Sequence, residues 1–376
     1  MYIVRQASPK SKQLNVFDLI EEKYDPKDYE PISNYNTITH DALNIPDDLR
    51  YKYNISVIIN QLKNFNNKYD KLFDIPRSEL YDHFYIPKRS VDKNGKPKFR
   101  EINSPKDQLS VALTELKGFF EFYDLDLYHT SAFAYVKRRA PADVTKKHQY
   151  NKSHWWLLTD FHDFFGSITE DFLFSQISNI FPFSIIIKCD NGALKKALSL
   201  CFLNGGLPQG TPISPMLTNI VMIPFDYQMS KILKGRYVYT RYADDIQISS
   251  RAEFNYKEIL NQMNGVLIAL KAPFELAKDK TKYRNGSVFV LGVMYNQNCQ
   301  RTVGHKNKKV FRATLFNYLC DRLNGIRWDK EKIMEMQGKF SYYVSIEKKV
   351  FLDILDEYSK KFDINVMNAI KEDLRA

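Results

Sequence analysis

The sequence predicts an α+β fold, because strand-like and helix-like segments alternate with hairpins before a long helical tail. The chain has 376 residues, enough for two or three domains with a substantial core. Its composition, 44% hydrophobic and 14% aromatic, is typical of a folded globular protein. The hairpins favour a mixed or antiparallel sheet over a regular doubly wound one.

Charge and composition narrow the classes of function. The formal net charge of +11 predicts a polyanionic partner, either nucleic acid or an anionic membrane surface. The sequence has no run of 18 apolar residues and no apolar signal-peptide core near its start, so we expect a soluble, cytoplasmic protein. The cysteines and histidines are scattered without metal-ligand spacing, so we expect neither a zinc site nor a disulfide framework.

The first third of the chain predicts an extension, a helix and a hairpin. Residues 1–50 are polar and interrupted by prolines, which predicts an N-terminal extension whose role the sequence does not reveal. Apolar residues at helical spacing predict a helix over 55–73. Residues 83–105 predict a strongly basic β-hairpin around Asn94-Gly95, and a second basic cluster follows at 135–148.

The remainder of the chain predicts strands, helices and a helical tail. The apolar segment "WWLLTDF" (155–161) predicts a strand. Ser167 and Glu170 have the spacing of a capping box, which predicts that a helix begins there. Further helical segments are predicted at 191–203, at the end of 204–233, and through most of 301–376.

Two adjacent aspartates, Asp244 and Asp245, interrupt an otherwise apolar hairpin in "RYADDIQISS" (241–250). Aspartate is a poor strand former and neighbouring carboxylates repel each other, so packing alone explains the pair poorly. A third carboxylate, Asp160, ends the predicted strand at 155–160. Carboxylate oxygens on adjacent strands suit the two divalent cations used in phosphoryl transfer. A solvated turn remains the alternative for the Asp-Asp pair taken alone.

These carboxylates lie in segments that resemble, in the same order, the catalytic blocks of reverse transcriptases. The segments are "KPKFREI" (96–102), "TDFHDFFGSIT" (159–169), "LPQGTPISPMLTN" (207–219), "YADD" (242–245), "LAKDKT" (276–281) and "VLGVMYN" (290–296). The resemblance spans roughly residues 51–345 and points to bacterial retron-type and defence-associated enzymes. Two departures exist: only His148 matches the Asn-Ala-x-x-His stretch of retron enzymes, and Leu291 replaces a usual threonine.

The resemblance implies a right-hand polymerase architecture, with α+β fingers and palm and a helical C-terminal thumb. The implied division of the chain is an N-terminal extension at 1–50, fingers at 51–154 and 176–206, palm at 155–175 and 207–300, and thumb at 301–376. The implied activity is that of an RNA-directed DNA polymerase using two-metal nucleotidyl transfer.

The resemblance also implies roles for single residues. Asp160, Asp244 and Asp245 would hold two Mg²⁺ ions, for which Mn²⁺ could substitute, with Phe161 as a further metal and nucleotide contact. Phe165 matches a steric gate that excludes ribonucleotides. The other implied contacts are with the nucleotide or the pyrophosphate: Lys98, Arg100, Gln209, Gly210 and, as the proton donor, Lys280.

Neighbouring residues leave some of these assignments open. Asp163 is a rival metal ligand, which we interpret as structural because in the family the ligand is the carboxylate that closes the strand. Phe164 is expected in the core rather than at the sugar. Lys278 and Lys282 are close rivals of Lys280.

Basic segments outside these blocks predict contacts with nucleic-acid backbones. The residues concerned are Lys137, Arg138, Arg139, Lys146, Lys147, Lys306, Lys308 and Lys309. The implied partners are an RNA template, as in a cognate non-coding RNA, together with nascent DNA and dNTPs, and the implied role is antiphage defence or a retron-like function. The alternatives are a non-catalytic RNA-binding protein on a polymerase scaffold, or a polymerase that makes untemplated or protein-primed DNA.

Overall fold

The computed structural model describes residues 55–91, 95–123, 128–180 and 182–375, so the predicted extension at 1–50 and Asn94 lie outside the described residues. The chain divides into two compact units. Unit 1 contains the residues up to Arg138 with Leu158–Ile246 and Asn255–Thr281, and unit 2 contains Arg139–Leu157, Gln247–Phe254 and Lys282–Ala376. None of the helices described is long and apolar enough to cross a membrane.

Helices and strands mix along the chain, as the sequence predicts. The helices are α1 (Ile55–Lys68), α2 (Asp70–Asp74), α3 (Asp107–Tyr123), α4 (Pro141–Tyr150), α5 (Phe164–Ser167), α6 (Glu170–Ile177), α7 (Phe183–Ser199), α8 (Ser214–Val221), α9 (Ile223–Leu233), α10 (Tyr256–Ala269), α11 (His305–Leu323), α12 (Lys330–Phe362) and α13 (Val366–Arg375). The strands are β1 (Tyr81–Val91), β2 (Pro97–Pro105), β3 (Trp155–Thr159), β4 (Val238–Tyr242), β5 (Asp245–Ser250), β6 (Lys282–Asn285), β7 (Val288–Val290), β8 (Val293–Tyr295) and β9 (Arg301–Thr302).

The helix predicted over 55–73 is present but interrupted. It ends at Lys68, and α2 continues after Tyr69, whose backbone is not helical (φ −112°, ψ 23°). The α1 helix packs on α7, and the buried amide of Asn66 donates to the carbonyl oxygen of Ala193 at 2.9 Å. The predicted hairpin is confirmed: β1 and β2 pair antiparallel, with Tyr81 opposite Pro105.

The central sheet places the ends of three strands near one another. Its strand order is β4-β5-β3-β6. Strands β4 and β5 are joined by Ala243 and Asp244, and Ala243 adopts a left-handed backbone (φ +56°) that allows this tight turn. Because β3 lies beside β5 and ends at Thr159, Asp160 follows directly at the end of a strand next to the turn.

The start of α6 differs from the prediction. The predicted capping box at Ser167 and Glu170 is wrong, because Ser167 ends α5 and Ile168 is extended (φ −74°, ψ 102°). The N-cap is Thr169, whose hydroxyl oxygen accepts a hydrogen bond from the backbone N–H of Phe172 at 3.2 Å. A threonine two residues nearer the helix therefore takes the capping role.

The C-terminal helices α11, α12 and α13 confirm the predicted helical tail and share a core that includes Phe311, Leu315, Phe351 and Ile354. Helix α12 is interrupted at Glu347 (φ −131°, ψ 63°). The Glu347 carboxylate accepts hydrogen bonds from the Thr302 hydroxyl at 2.9 Å, the Val303 N–H at 2.8 Å and Lys308 Nζ at 2.6 Å. At this interruption, the Glu347 carboxylate binds residues at and just before the start of α11.

Replacing the observed cap tests this account of α6. We expect Thr169→Ala to lower the free energy of unfolding by about 1 kcal/mol, because the Phe172 N–H loses its acceptor. The matched control, Ser167→Ala, should change it by less than about 0.5 kcal/mol. Urea denaturation of both variants measures the difference, and an equal or larger effect of Ser167→Ala would contradict the observed cap.

Candidate active site

The structure brings Asp160, Asp244 and Asp245 close enough for their charges to interact. The pKa of Asp244 is raised to about 6, first by burial and then by the nearby Asp160 carboxylate, which lies within hydrogen-bonding reach. The pKa of Asp245 is raised by partial burial and then by the charges of Asp244 and Asp160. The neighbouring carboxylates therefore make it less favourable for Asp244 and Asp245 to ionise.

A divalent cation would relieve this repulsion. When Asp160 and Asp244 are both ionised, Asp160 Oδ1 is a buried oxygen with no hydrogen-bond donor among the residues described. Its other oxygen, Oδ2, accepts from Lys280 Nζ at 2.5 Å. Over the described ranges no three metal-ligating side chains are already arranged around one point. The candidate metal ligands are all carboxylate oxygens, which fit Mg²⁺ or Mn²⁺. A bound ion would give the buried Asp160 Oδ1 the partner that it lacks.

The segment 275–281 fixes the backbone around Asp160. The Ala277 N–H donates to the Asp160 carbonyl oxygen at 2.7 Å, and the His162 N–H donates to the Glu275 carbonyl oxygen at 2.8 Å. Phe161 lies between them with its ring 1% exposed in the core. Any contact of Phe161 with a metal or nucleotide must therefore come from its backbone.

The same segment carries Lys280 to the site. The three candidate lysines are all exposed, and Lys280 is the one whose ammonium group contacts Asp160. Burial lowers the pKa of Lys280, but its hydrogen bond with Asp160 and the charges of Asp160 and Asp244 outweigh that effect and raise it overall. Lys280 is therefore held as a protonated group beside the carboxylates.

Phe165 lies on the short helix α5 after Asp160, with 9% of its surface exposed. Its carbonyl oxygen accepts from the Leu207 N–H at 3.1 Å. Phe164 is 2% exposed and packs in the core against the Phe161 and Phe274 rings, at centroid distances of 5.3 and 5.1 Å. The backbone of Phe165 therefore contacts the loop that follows α7.

Asp163 and Gly206 shape the same region. Asp163 begins α5 with a left-handed backbone (φ +40°), its side chain exposed and its carbonyl oxygen accepting from the Ser167 N–H at 3.0 Å. A side chain at Gly206 would place Cβ 2.0 Å from the Gly166 carbonyl oxygen. Glycine therefore lets the loop before Gln209 lie directly on α5.

Gln209 and Gly210 are attached to the basic hairpin. The Asn103 N–H donates to the Gln209 carbonyl oxygen at 2.7 Å. Gly210 has φ +117°, and a Cβ there would lie 2.7 Å from Ile102 Cγ2 and 2.8 Å from the Asn103 carbonyl oxygen. Only glycine fits this conformation and approach.

Lys98 and Arg100 are exposed on β2 and alternate with residues of the opposite face, so they share a face with Ile102. Because Ile102 touches Gly210, the predicted nucleotide contacts of β2 and of the "LPQG" loop lie next to one another. Tyr135, which the sequence did not single out, also lies near enough to Arg100 for their charges to interact.

Tyr135 adopts a left-handed backbone (φ +58°), and the residue as a whole is 53% exposed. Burial of its hydroxyl group raises its pKa, as do the charges of Asp244 and Tyr242, whereas Arg100 lowers it. The Tyr135 hydroxyl group therefore interacts electrostatically with both Asp244 and Arg100. The sequence offered only a weak signal for this residue, one aromatic side chain directly before a basic cluster.

His148 is the one residue that matches the Asn-Ala-x-x-His stretch of retron enzymes, and it is a core residue. It is fully buried in unit 2, with Nδ1 2.5 Å from the Ser249 hydroxyl oxygen and its ring 4.9 Å from that of Trp156. Burial, with a smaller contribution from Lys147, lowers its pKa to about 3, so it stays neutral at physiological pH.

The basic residues predicted to contact nucleic acid differ in their exposure and in whether an acidic side chain already holds them. Lys137 and Lys146 are exposed, although they lie near Glu121 (3.5 Å) and Asp143 (3.3 Å), respectively. Lys308 is the exception, because its ammonium group is held by the largely buried Glu347. The others are Arg138, Lys306 and Lys309, which are exposed, and Arg139 and Lys147, which are half-buried.

Comparisons with known proteins place this site in a family. The family model described as "Reverse transcriptase (RNA-dependent DNA polymerase)" matches residues 86–295. The chain is 25% identical over 320 residues to the retron Ec83 reverse transcriptase of Escherichia coli, covering 81% of this chain and 94% of that protein. It is 26% identical over 245 residues to the retron Ec73 reverse transcriptase of E. coli, covering 62% and 74%, respectively.

Solved structures of lower similarity include telomerase from Candida albicans in complex with a TWJ fragment of telomeric RNA. The identity is 14% and the TM-score 0.44, with 80% of this chain and 64% of that chain covered. The chain thus spans less than two thirds of that telomerase, and the family assignment does not depend on it.

The family match covers more than half of the chain and includes all three carboxylates of the candidate site. The family uses divalent metal ions and has an α+β polymerase fold, in agreement with the mixture of helices and sheets described above. The chain therefore belongs to the reverse transcriptase family, resembles its bacterial retron-type members, and is an RNA-directed DNA polymerase.

Proposed function

We propose that this protein copies a cognate structured non-coding RNA into DNA at the site formed by Asp160, Asp244 and Asp245. The observation that carries the proposal is the meeting of three carboxylates at neighbouring strand ends, with a buried Asp160 oxygen lacking a donor among the described residues. Similarity to two E. coli retron enzymes supports a retron-like role, with antiphage defence as the biological setting and the cytoplasm as the location.

The three carboxylates would hold two Mg²⁺ ions, or Mn²⁺, together with the backbone of Phe161. When bound, these ions would activate the primer 3′-hydroxyl and neutralise the charge of the triphosphate and the leaving pyrophosphate. Lys280, kept protonated by Asp160, would donate a proton to the pyrophosphate as it leaves.

The hairpin and the loop attached to it would bind the incoming dNTP. Arg100 would contact the triphosphate in a bidentate manner and Lys98 as a point charge. The Gln209-Gly210 turn would contact the nucleotide, and its backbone is fixed by Asn103. Phe165 would lie beneath the sugar and exclude a 2′-hydroxyl group.

The basic residues named above would follow the template and primer backbones, with the thumb at 301–376 and the fingers and palm divided as the sequence predicts. Lys308 is engaged by Glu347 and would add positive potential rather than a direct contact. Phosphate contacts of this kind give an affinity that falls with salt and does not depend on base sequence.

Matched isosteric substitutions test the carboxylate assignment. We expect Asp244→Asn to lower dNTP incorporation on an RNA template by at least about 100-fold, because several kcal/mol of charge stabilisation is lost, with RNA affinity retained. Asp163→Asn, the matched control at the rival position, should stay within about threefold of wild type. Primer extension and filter binding measure both. Wild-type incorporation by Asp244→Asn would contradict the carboxylate assignment, whereas RNA binding without incorporation by the wild-type protein would favour the non-catalytic alternative.

The steric-gate assignment is tested by nucleotide preference. We expect Phe165→Ala to raise the ratio of kcat/KM for rNTPs to that for dNTPs by about tenfold or more, because a bulky ring no longer opposes the 2′-hydroxyl. The substitution also costs stability, about 3–5 kcal/mol, but a ratio measured in one preparation does not depend on the folded fraction. Phe164→Leu, a core change nearby, should leave the ratio unaltered; an unchanged ratio in Phe165→Ala would remove Phe165 from the site.

The contact between Gly210 and the hairpin predicts a binding defect. We expect Gly210→Ala to raise the KM for dNTPs by about tenfold, a loss of about 1.4 kcal/mol, because Cβ would push the turn away from β2. Gly205→Ala is the control, since Gly205 also has a positive φ (+82°) but open space around its Cβ position. Equal effects of the two substitutions in steady-state kinetics would show that backbone strain, and not the contact with β2, is responsible.

A further inference from the structure

A buried ion pair lies behind the Asp244-Asp245 turn. Arg241 and Asp226 are both 0% exposed. Arg241 Nε donates to Asp226 Oδ1 at 2.8 Å, and its Nη2 donates to Asp226 Oδ2 at 2.6 Å. This bidentate contact joins β4 to α9 and uses two of the three nitrogen atoms of the guanidinium group.

The third nitrogen reaches the turn itself. Arg241 Nη1 donates to the Ala243 carbonyl oxygen at 3.0 Å and to Asn219 Oδ1 at 3.1 Å. Ala243 precedes Asp244 and has a left-handed backbone, a conformation that costs a non-glycine residue free energy and needs support from its surroundings. The guanidinium group supplies that support from the buried side.

The same group also fixes the segment that ends in Tyr135. Asn219 Nδ2 donates to the Ala134 carbonyl oxygen at 2.5 Å. The backbone of Arg241 accepts from the Phe133 N–H at 2.9 Å and donates to the Ser131 carbonyl oxygen at 2.7 Å. One side chain and its own backbone therefore connect the turn of the carboxylates with the residue before Tyr135.

Stability alone does not explain such a pair. Replacing a buried ion pair by apolar residues of similar size is often neutral or stabilising, because desolvating two charges is costly. Lysine could not reproduce the arrangement, since a single ammonium group lacks the planar fork that spans Asp226, Asn219 and Ala243. What only the guanidinium group provides is a hydrogen bond that fixes the orientation of the Ala243 carbonyl.

We propose that Arg241 is a positioning residue of the polymerase site, whose guanidinium group holds the Ala243 carbonyl and so sets the orientation in which Asp244 and Asp245 meet Asp160. The inference rests on the proposed role of these carboxylates. It extends the site inward to Asp226 and Asn219, which are buried behind the turn.

Two variants separate this role from simple packing. Arg241→Lys keeps a charge for Asp226 and loses the contact with Ala243, whereas Asp226→Leu with Arg241→Met removes the pair without leaving an unpaired charge. For both we expect kcat to fall roughly 10- to 100-fold, the effect of a displacement of about 1 Å at a reacting centre. The KM for dNTPs and the affinity for template–primer should stay within about twofold.

A second readout does not depend on turnover. Mn²⁺ titration followed by electron paramagnetic resonance, without nucleotide, should show at least about tenfold weaker Mn²⁺ binding in Arg241→Lys. Tyr239→Phe is the matched control, because it removes the hydrogen bond from the Tyr239 hydroxyl to Asp226 Oδ1 (2.6 Å) and leaves the contact with Ala243. It should lower the melting temperature without changing kcat or Mn²⁺ affinity.

The outcomes distinguish this inference from the proposed function. Wild-type kcat and Mn²⁺ affinity in Arg241→Lys, with Asp244→Asn inactive, would overturn the positioning role alone. Loss of kcat in all variants in proportion to the loss of stability, Tyr239→Phe included, would also overturn it. Wild-type activity in Asp244→Asn would instead remove the proposed function itself. If the double variant does not fold, Arg241→Lys still decides the question.

Discussion

Repulsion among Asp160, Asp244 and Asp245 is the constraint on which the rest of the site depends. Asp160 raises the pKa of both Asp244 and Asp245, and Asp244 raises that of Asp245, so the fold must hold these carboxylates together against their own charge. It does so from two sides. Lys280 neutralises one oxygen of Asp160 at the surface, and the hydrogen bonds of Arg241 fix the turn from the interior. Divalent cations, which the family uses, would compensate this repulsion, and unfavourable local interactions of this kind are typical of functional sites.

Part of the site could be predicted because its signal is local. Two aspartates inside an apolar hairpin, and a third at a strand end, are conspicuous in any sequence, and the structure brings them together. The hairpin of β1 and β2 followed from alternation and its glycine turn, and the helical tail from its amphipathic pattern. The order of elements was sufficient for the α+β class.

Other features could not be predicted, because they depend on contacts between distant residues. Arg241 looks like an ordinary strand residue until its partner Asp226 and the Ala243 carbonyl are seen. Tyr135 is one of 24 tyrosines, and only its backbone conformation and neighbours set it apart. The capping error at Ser167 has a different origin: Thr169 competes for the same role, and the sequence pattern does not rank two hydroxyl groups two residues apart. Charge counting likewise overlooked that Glu347 holds Lys308.

The central claim is that these carboxylates direct the synthesis of DNA on an RNA template. The most direct measurement is to incubate the purified full-length protein with a defined RNA, a primer, dNTPs and Mg²⁺, and to sequence the DNA that forms. The account predicts DNA complementary to the RNA, with none formed when a chelator removes the Mg²⁺. DNA unrelated to the template, or no DNA from a folded protein that still binds the RNA, would contradict it.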